Sequence, residues 1–426
     1  MPLPLATPAP NHPMSREAAF RWHIKSQVHI GAQKVDLASS PVAASGDPGR
    51  TVAQTLRALH AGLQDTAQIR VSPQGVECFP APAPTLHCMT SGSSGAAKTI
   101  RRSHASWIAS FNINREIFVL TPTDRYAVLG RLENSLGLYA LLEALHIGAD
   151  VHLLADHRPA RQMRIISEAG VTLIYATPTQ LRLLLRAEAP PPRGVRHILC
   201  GGGVLDEPLR AEIHRALPDA QLHEFYGASE TSFITLSRPQ TPRGSVGRAY
   251  GAVDIKIDAV EGETGEIWVK SPYLFEGYAS GESPLTRWRD GYLSVGEMGW
   301  RDPQGNLYLS GRKNRMVLIA DQNVFPEDIE RFFLALPHIT HCAVLPVSDG
   351  LRGSHLVAVV DGAPDPALAD AWLAQARVAF GPLIAPKRLI ALPDFPCLGA
   401  GKPDLVRLAQ IVAQETPASV SRECQP

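Results

Sequence analysis

Thr90, Ser91, Gly92, Ser93, Ser94, Gly95, Ala96, Ala97, Lys98 and Thr99 follow one another in the chain. Small residues ahead of a lysine let a backbone approach a polyanion closely, with amide and hydroxyl donors aimed at it and a positive charge at the end. The chemistry such a stretch offers is the cradling of phosphates. A Ser/Gly run is equally the composition of a flexible linker, so its setting matters. A short apolar piece, Leu86 to Met89, precedes it, and a helix opening on Arg101 and Arg102 is expected after it. The spacing also comes close to the nucleotide-binding pattern G-x-x-x-x-G-K-[ST], with Ala97 in place of the second glycine. Asp156, closing the apolar run Val151 to Leu154, has the place of a metal-holding partner in that rival reading.

The elements that must position this loop show in the apolar periodicity. Ala127–Leu129, Val151–Leu154, Thr172–Tyr175 and His197–Leu199 read as strands, alternating with amphipathic stretches at Leu136–His146, Pro159–Ala169, Pro178–Arg186 and Glu207–Leu217. Such alternation predicts parallel strands with crossover helices. Beyond Tyr226, runs such as Asp254–Asp258 and Glu266–Lys270 between Gly and Pro turns predict antiparallel strands in a small barrel or sheet. From Gly311 the pattern becomes a small α+β unit, with helices at Pro326–Leu336 and Pro366–Phe380 and strands at Thr340–Val347 and His355–Val360. Ahead of the loop, a strand near Trp22–Val28 and a helix over Thr51–Gln64 are expected. The expected class is therefore α/β: a large domain of mixed, mostly parallel sheets with helices plus a small barrel-like subdomain, then a small α+β domain.

Composition narrows the partners. Lys plus Arg and Asp plus Glu balance at 41 each in 426 residues, which points to neither a nucleic-acid nor a membrane surface. No apolar run reaches the length of a membrane span. Cys78, Cys88, Cys200, Cys342, Cys397 and Cys424 show no paired spacing, which fits a reducing cytoplasm and argues against a structural zinc site. Lysine occurs only at Lys25, Lys34, Lys98, Lys256, Lys270, Lys313, Lys387 and Lys402. A lysine inside a glycine motif is thus more telling than usual.

Several further segments occur in order. Gly201-Gly202-Gly203, Tyr226-Gly227-Ala228-Ser229-Glu230, Gly262 to Ile267, Gly291 to Gly299, Gly311-Arg312 and Gly401-Lys402, together with the loop and His104 behind it, resemble the motifs of the adenylate-forming superfamily of acyl- and aryl-CoA synthetases, peptide-synthetase adenylation domains and luciferases. The resemblance covers residues 85 to 412. It implies a domain over residues 1–310 that binds the nucleotide, with a shortened, partly disordered start at 1–89, a hinge at 311–314 and a lid over 315–426. It implies ATP and Mg²⁺ as cofactors, with Thr90, Ser91, Gly92, Ser93, Ser94, Gly95 and Lys98 around the phosphates. Gly202, Gly203, Tyr226, Gly227 and Ala228 would lie against the nucleotide, Ser229 on the α-phosphate, and Glu230 on the metal. Glu297, where the family carries Asp, would take the ribose, Arg312 would assist from the hinge, and Lys402 would bridge the attacking carboxylate and the phosphate.

Asn134, where the family often has His, sits with Gly137, Gly201 and Tyr226 in the place of the acid pocket, and its amide suits a hydroxylated aryl acid such as a hydroxybenzoate. Asp321 falls where the resemblance expects a glycine beside the thiol tunnel, or Ala320 does if the alignment slips by one. The early loop makes the chain similar to the small AMP-ligases found beside aryl-polyene pigment genes. No carrier-like segment comes after Lys402, so the expected acceptor is a separate acyl carrier protein or CoA. A P-loop ATPase or kinase and a non-catalytic nucleotide-binding relative are the alternatives.

Overall fold

The nine-stranded sheet at the centre of the chain takes its form from strands that are apolar on both faces. All four residues of Leu173–Ala176 and of His197–Cys200 are buried, as parallel strands covered on both sides by helices require. In the computed structural model, which describes residues 19–37, 48–64, 68–90, 98–203, 205–319, 322–349, 353–398 and 402–415, the sheet runs in the order Arg248–Ala249, Ser232–Leu236, Gln221–Ala228, His197–Cys200, Leu173–Ala176, Arg125–Val128, Asp150–Leu153, Val28–Ile30, Gln33–Lys34. From Val28–Ile30 to Gln221–Ala228 every neighbouring pair is parallel. Period-two alternation sends Tyr126, Val128 and Tyr175 to one core and Ala127, Ile174 and Ala176 to the other.

Local signals fix the crossover helices. Thr177 and Gln180 form a reciprocal capping box at the start of Pro178–Leu185. The Asp206 carboxylate accepts from the Leu209 amide at 2.8 Å to start Glu207–Ala216. Gly148, at φ 98°, ends Ser135–Ile147 in the left-handed conformation that glycine adopts without strain. That helix buries Glu143 completely. Its carboxylate accepts from Asn114 Nδ2 at 2.7 Å, from the Tyr175 hydroxyl at 2.7 Å and from the Tyr126 hydroxyl at 3.2 Å. The Tyr250 hydroxyl donates in turn to Asn114 Oδ1 at 2.7 Å. Burial pushes the Glu143 carboxyl up to about 7 despite those donors.

A second, five-stranded sheet has the order Gly277–Ser280, Lys98–Ser103, Thr85–Thr90, Gln68–Ser72, Gly75–Phe79. It joins two stretches far apart in the chain, because Tyr278 lies opposite Ile100 and Gly277 opposite Arg101. The third sheet is antiparallel, in the order Arg287–Arg289, Tyr292–Ser294, Gly265–Lys270, Glu297–Arg301, Leu307–Arg312, with Asp254–Asp258 also pairing Gly265–Lys270. Its end strands do not pair with one another, so the barrel-like subdomain is an open sheet.

The described residues up to Leu309 form one compact unit and those from Ser310 onward a second. In the second, Cys342–Asp349 runs antiparallel to Gly353–Asp361, which is parallel to Arg388–Leu392. Alternate residues of these strands face two cores: Val344, Ala358 and Val360 pack with Phe333 and Trp372, and Ala343, Val357 and Val359 with Leu408. The helix Pro366–Ile384 outlasts the expected span and bends at Gly381, where φ is 79° and Pro382 comes next. Among the described residues no helix is long and apolar enough to cross a membrane. The start of the chain and residues 416–426 lie outside the described residues.

Candidate active site

The two ends of the glycine loop are the last residue of Thr85–Thr90 and the first of Lys98–Ser103, with Thr90 paired directly opposite Lys98. Ser91, Gly92, Ser93, Ser94 and Gly95 lie outside the described residues. The loop leads into a strand, and the helix His104–Ile117 begins only after that strand ends. Arg101 and Arg102 therefore lie on a strand, contrary to the expected helix start, because Thr99-Ile100-Arg101-Arg102 alternates inward and outward. This also removes the P-loop reading, which needs the lysine at the opening of a helix. Asp156 pairs with Arg131 at 2.8 Å, as an ordinary surface ion pair.

From Lys98 a line of contacts leads around the site. The lysine stem lies against Gly281, whose added Cβ would sit 3.1 Å from Lys98 Cγ. Lys98 Nζ lies 5.9 Å from the centre of the Tyr278 ring. The Tyr278 hydroxyl donates to Glu230 Oε1 at 2.8 Å and shares a hydrogen bond with Thr286 Oγ1 at 2.8 Å. Burial and then the Glu230 charge raise the Tyr278 phenol far above its ordinary value, so it remains a donor. Beside Glu230, Ser229 Oγ shares a hydrogen bond with Ser135 Oγ at 2.8 Å. Asn134, the residue before Ser135, bridges Met89, next to Thr90. The contacts thus close a ring: Thr90, Lys98, Tyr278, Glu230, Ser229, Ser135, Asn134 and Met89.

The backbone of the ring is shaped by glycines in two places. Register slips between Tyr226 and Gly227, and a Cβ on Gly227 would come 1.9 Å from the Ser232 carbonyl oxygen. Ala228 N then donates to Thr231 Oγ1 at 2.9 Å, closing the turn that carries Ser229 and Glu230. At Gly201 an added Cβ would fall 2.4 Å from the Phe225 ring, which fixes that ring beside the triplet. Gly202 comes next at φ 81° and Gly203 faces Pro178. Gly137 has no room for a side chain either, at 2.5 Å from the Arg131 carbonyl oxygen. Asn134 occupies the N-cap position of its helix but makes no capping hydrogen bond.

Arg102, which the sequence did not single out, is completely buried. Its Nη1 donates to Ser232 Oγ at 2.9 Å, to the Tyr273 carbonyl at 3.2 Å and to Ser106 Oγ at 3.3 Å, while Nη2 donates to the Ser229 carbonyl. Its guanidinium lies 4.8 Å from the Trp107 ring. Burial lowers its pKa to about 10, which leaves it charged at neutral pH. Tyr278 was missed as well. His104 is a core side chain: stacked on Phe20 at 4.0 Å, accepting from the Phe20 amide at 3.3 Å, and held neutral by burial, its pKa lowered to about 4.

Glu297 opens the strand Glu297–Arg301, after a turn in which Gly296 has φ 78°. Arg312 and Lys402 belong to the second unit. The Arg312 amide donates to Glu327 Oε1 at 3.2 Å, and Gly311 admits no Cβ because Glu327 Oε2 would stand 2.6 Å from it. Arg315 ties Glu327 and Glu330 together, at 3.3 and 2.7 Å. Lys402 is exposed, and its carbonyl accepts from the Leu398 amide at 2.8 Å just ahead of the helix Leu405–Glu415. Ala320 and Asp321 lie outside the described residues. Among those described, no group of three His, Cys, Asp or Glu side chains that could hold a metal occurs. Glu230 offers one hard oxygen donor, which suits a Mg²⁺ ion whose other ligands are phosphate oxygens and water.

The family profile described as AMP-binding enzyme matches residues 23–279. The chain belongs to the AMP-binding enzyme family. It is 34% identical over 322 residues to an uncharacterized acyl–CoA ligase, YhfT, of Bacillus subtilis (strain 168), covering 74% of this chain and 65% of that protein. It is 29% identical to an indoleacetate–CoA ligase of Aromatoleum aromaticum (strain DSM 19018 / LMG 30748 / EbN1), over 78% of this chain and 68% of that one. The chain thus spans about two thirds of the length of these family members. Among solved structures it resembles o-succinylbenzoate CoA synthetase (MenE) of Bacillus subtilis in complex with its acyl-adenylate intermediate, at TM-score 0.68 and 25% identity over 76% of this chain and 68% of that one. The same synthetase with ATP and magnesium ion aligns at TM-score 0.67, 25% identity, and 76% and 69% coverage.

Proposed function

We propose that the protein is an ATP-dependent acid–thiol ligase. The observation that carries this reading is the closed ring that gathers Thr90, Lys98, Ser229 and Glu230, with Lys98 opening a strand. In the first step a carboxylate oxygen of the acid attacks the α-phosphorus of ATP. The new acyl–O–P bond forms as the bond to the bridging oxygen breaks, and its electron pair leaves with pyrophosphate. Two anions must meet, so positive charge and preorganised donors do most of the work. Lys402 supplies positive charge for the carboxylate and the α-phosphate together. The Ser229 hydroxyl donates to the α-phosphate, and the loop from Thr90 to Lys98 holds the departing phosphates. Tyr226 lies against adenine beside Gly201, Gly202, Gly203, Gly227 and Ala228, while Glu297 accepts from the ribose hydroxyls and Arg312 assists. Glu230 would hold a Mg²⁺ ion, which would supply neutralisation of the phosphate charge. In the second step a pantetheine thiol, of CoA or an acyl carrier protein, loses its proton to solvent and attacks the acyl carbonyl; the C–S bond forms as the acyl C–O bond to the phosphate breaks, and AMP leaves with that electron pair.

The acid proposed is aromatic and hydroxylated. Support comes from Asn134, whose side-chain amide makes no capping hydrogen bond and suits a ring hydroxyl. The relative named for indoleacetate points to the same class. Pyrophosphate exchange measured across aryl and fatty acids tests it: hydroxylated aryl acids should drive the fastest exchange, and stimulation by long-chain acids alone would sink the assignment. Lys402→Ala should abolish exchange with ATP affinity nearly unchanged, and Lys98→Ala should slow it less.

A further inference from the structure

A buried guanidinium without a carboxylate is an unusual expense. Taking such a charge out of water costs several kcal/mol unless its donors are answered in good geometry. Among the described residues Arg102 has no ion-pair partner, and its four acceptors are all neutral: two serine hydroxyls and two carbonyls. Its neighbour Arg101, one residue earlier, points outward and pairs with Glu276 at 3.2 Å. The two acceptors nearest the site flank one turn. One is the carbonyl of Ser229, just before Glu230. The other is the hydroxyl of Ser232, whose φ of 56° lies in the left-handed region that serine rarely adopts. Trp107 Nε1 also donates to that hydroxyl, at 3.1 Å. From the opposite side the Phe275 amide donates to the Glu230 carbonyl at 2.8 Å. A strained residue persists where its surroundings over-determine it, and here the surroundings are Arg102 and Trp107.

We infer that Arg102 is a positioning residue for the proposed ligase reaction: it locks the Ser229–Ser232 turn so that the Ser229 hydroxyl and Glu230 carboxylate meet the metal-bound triphosphate. Its unpaired charge lies under that turn, on the side away from solvent, and favours negative charge above it. Arg102 touches neither nucleotide nor acid. This rests on the functional reading above, and its test separates the two.

The full-length chain and its Arg102→Met and Arg102→Lys variants are compared by calorimetric titration with ATP, with and without Mg²⁺, and by pyrophosphate exchange with the fastest acid. Melting curves establish that each variant is folded. In the wild type Mg²⁺ should tighten ATP binding. Arg102→Met should keep the Mg²⁺-free affinity within about twofold and lose about tenfold of the Mg²⁺-dependent gain. Its kcat should fall about 100-fold and its KM for ATP measured with Mg²⁺ should rise by about the lost tenfold, and Arg102→Lys should recover about a tenth of the lost rate. If Arg102→Met does not fold, Ser232→Ala stands in, with a smaller loss in the same two readouts. A folded Arg102→Met that melts earlier but keeps the Mg²⁺ gain and kcat would make Arg102 a core residue only and overturn the inference. A wild type that binds ATP with Mg²⁺ but releases ADP overturns the ligase reading, while the Mg²⁺ gain still reports on Arg102. A wild type that binds no ATP overturns both.

Discussion

Arg102 and Glu143 are both completely buried in the same unit, yet they are answered differently. Glu143 is met by side chains, an amide and two phenols donating to its carboxylate, and these come from the helices and strands of the main core. Arg102 is met largely at a turn, through the Ser229 carbonyl and the Ser232 hydroxyl. The first network ends in the core and joins helix to sheet. The second ends at the site. A buried ionisable group therefore serves the fold or the chemistry according to what its last hydrogen bond holds.

That contrast is broken most directly by substituting each residue. Arg102→Met should cost about 100-fold in kcat, whereas Glu143→Gln should leave kcat within a few-fold and act on stability. Equal losses of kcat in two folded variants would erase the distinction.

Stability against pH sharpens the Glu143 half. With its carboxyl raised from the ordinary 4.5 to about 7, the folded protein keeps a proton that the unfolded chain releases in that window. The contribution is full below pH 4.5 and is lost as pH rises through 7. Relative to wild type, Glu143→Gln should therefore gain roughly 3 kcal/mol between pH 4.5 and 8, at about 1.4 kcal/mol per unit. Buried His87 and His104, both pushed down to about 4 by burial, run the other way on acidification, but they cancel in the comparison of two proteins at one pH. Urea unfolding at a series of pH values reads the difference, and a pH-independent difference would contradict it.

The smallest effect is expected at Tyr278. Tyr278→Phe removes one donor to Glu230 and leaves the ring under Lys98, so the rate should fall about fivefold, the worth of one hydrogen bond of about 1 kcal/mol. A loss as large as that of Arg102→Met would move the weight of the site from the turn to the phenol.

The fold was largely legible, because alternating apolar runs and capping residues such as Thr177 and Asp206 are local signals. The glycine positions were legible for a similar reason: Gly137, Gly201 and Gly227 stand where no Cβ fits, and a motif of glycines records that need. Arg102 was not legible. Two adjacent arginines look alike in a sequence, and only the pleat of Lys98–Ser103 sends one inward and the other to solvent. Tyr278 escaped because its partner Glu230 is 48 residues away and the two meet through pairing of Gly277–Ser280 with Lys98–Ser103. The kink at Gly381 was written in the adjoining glycine and proline, whereas the length of helix beyond it was not.

On the proposed function, the ring around Glu230 serves transfer of AMP to a carboxylate. That role is tested most directly by incubating the protein with Mg²⁺, hydroxylated aryl acids and ATP labelled in the α-phosphate, and separating the labelled products. Label in acyl-adenylate and AMP, dependent on the acid and absent in Lys402→Ala, is the predicted result; label in ADP, formed whether or not an acid is present, would contradict the account.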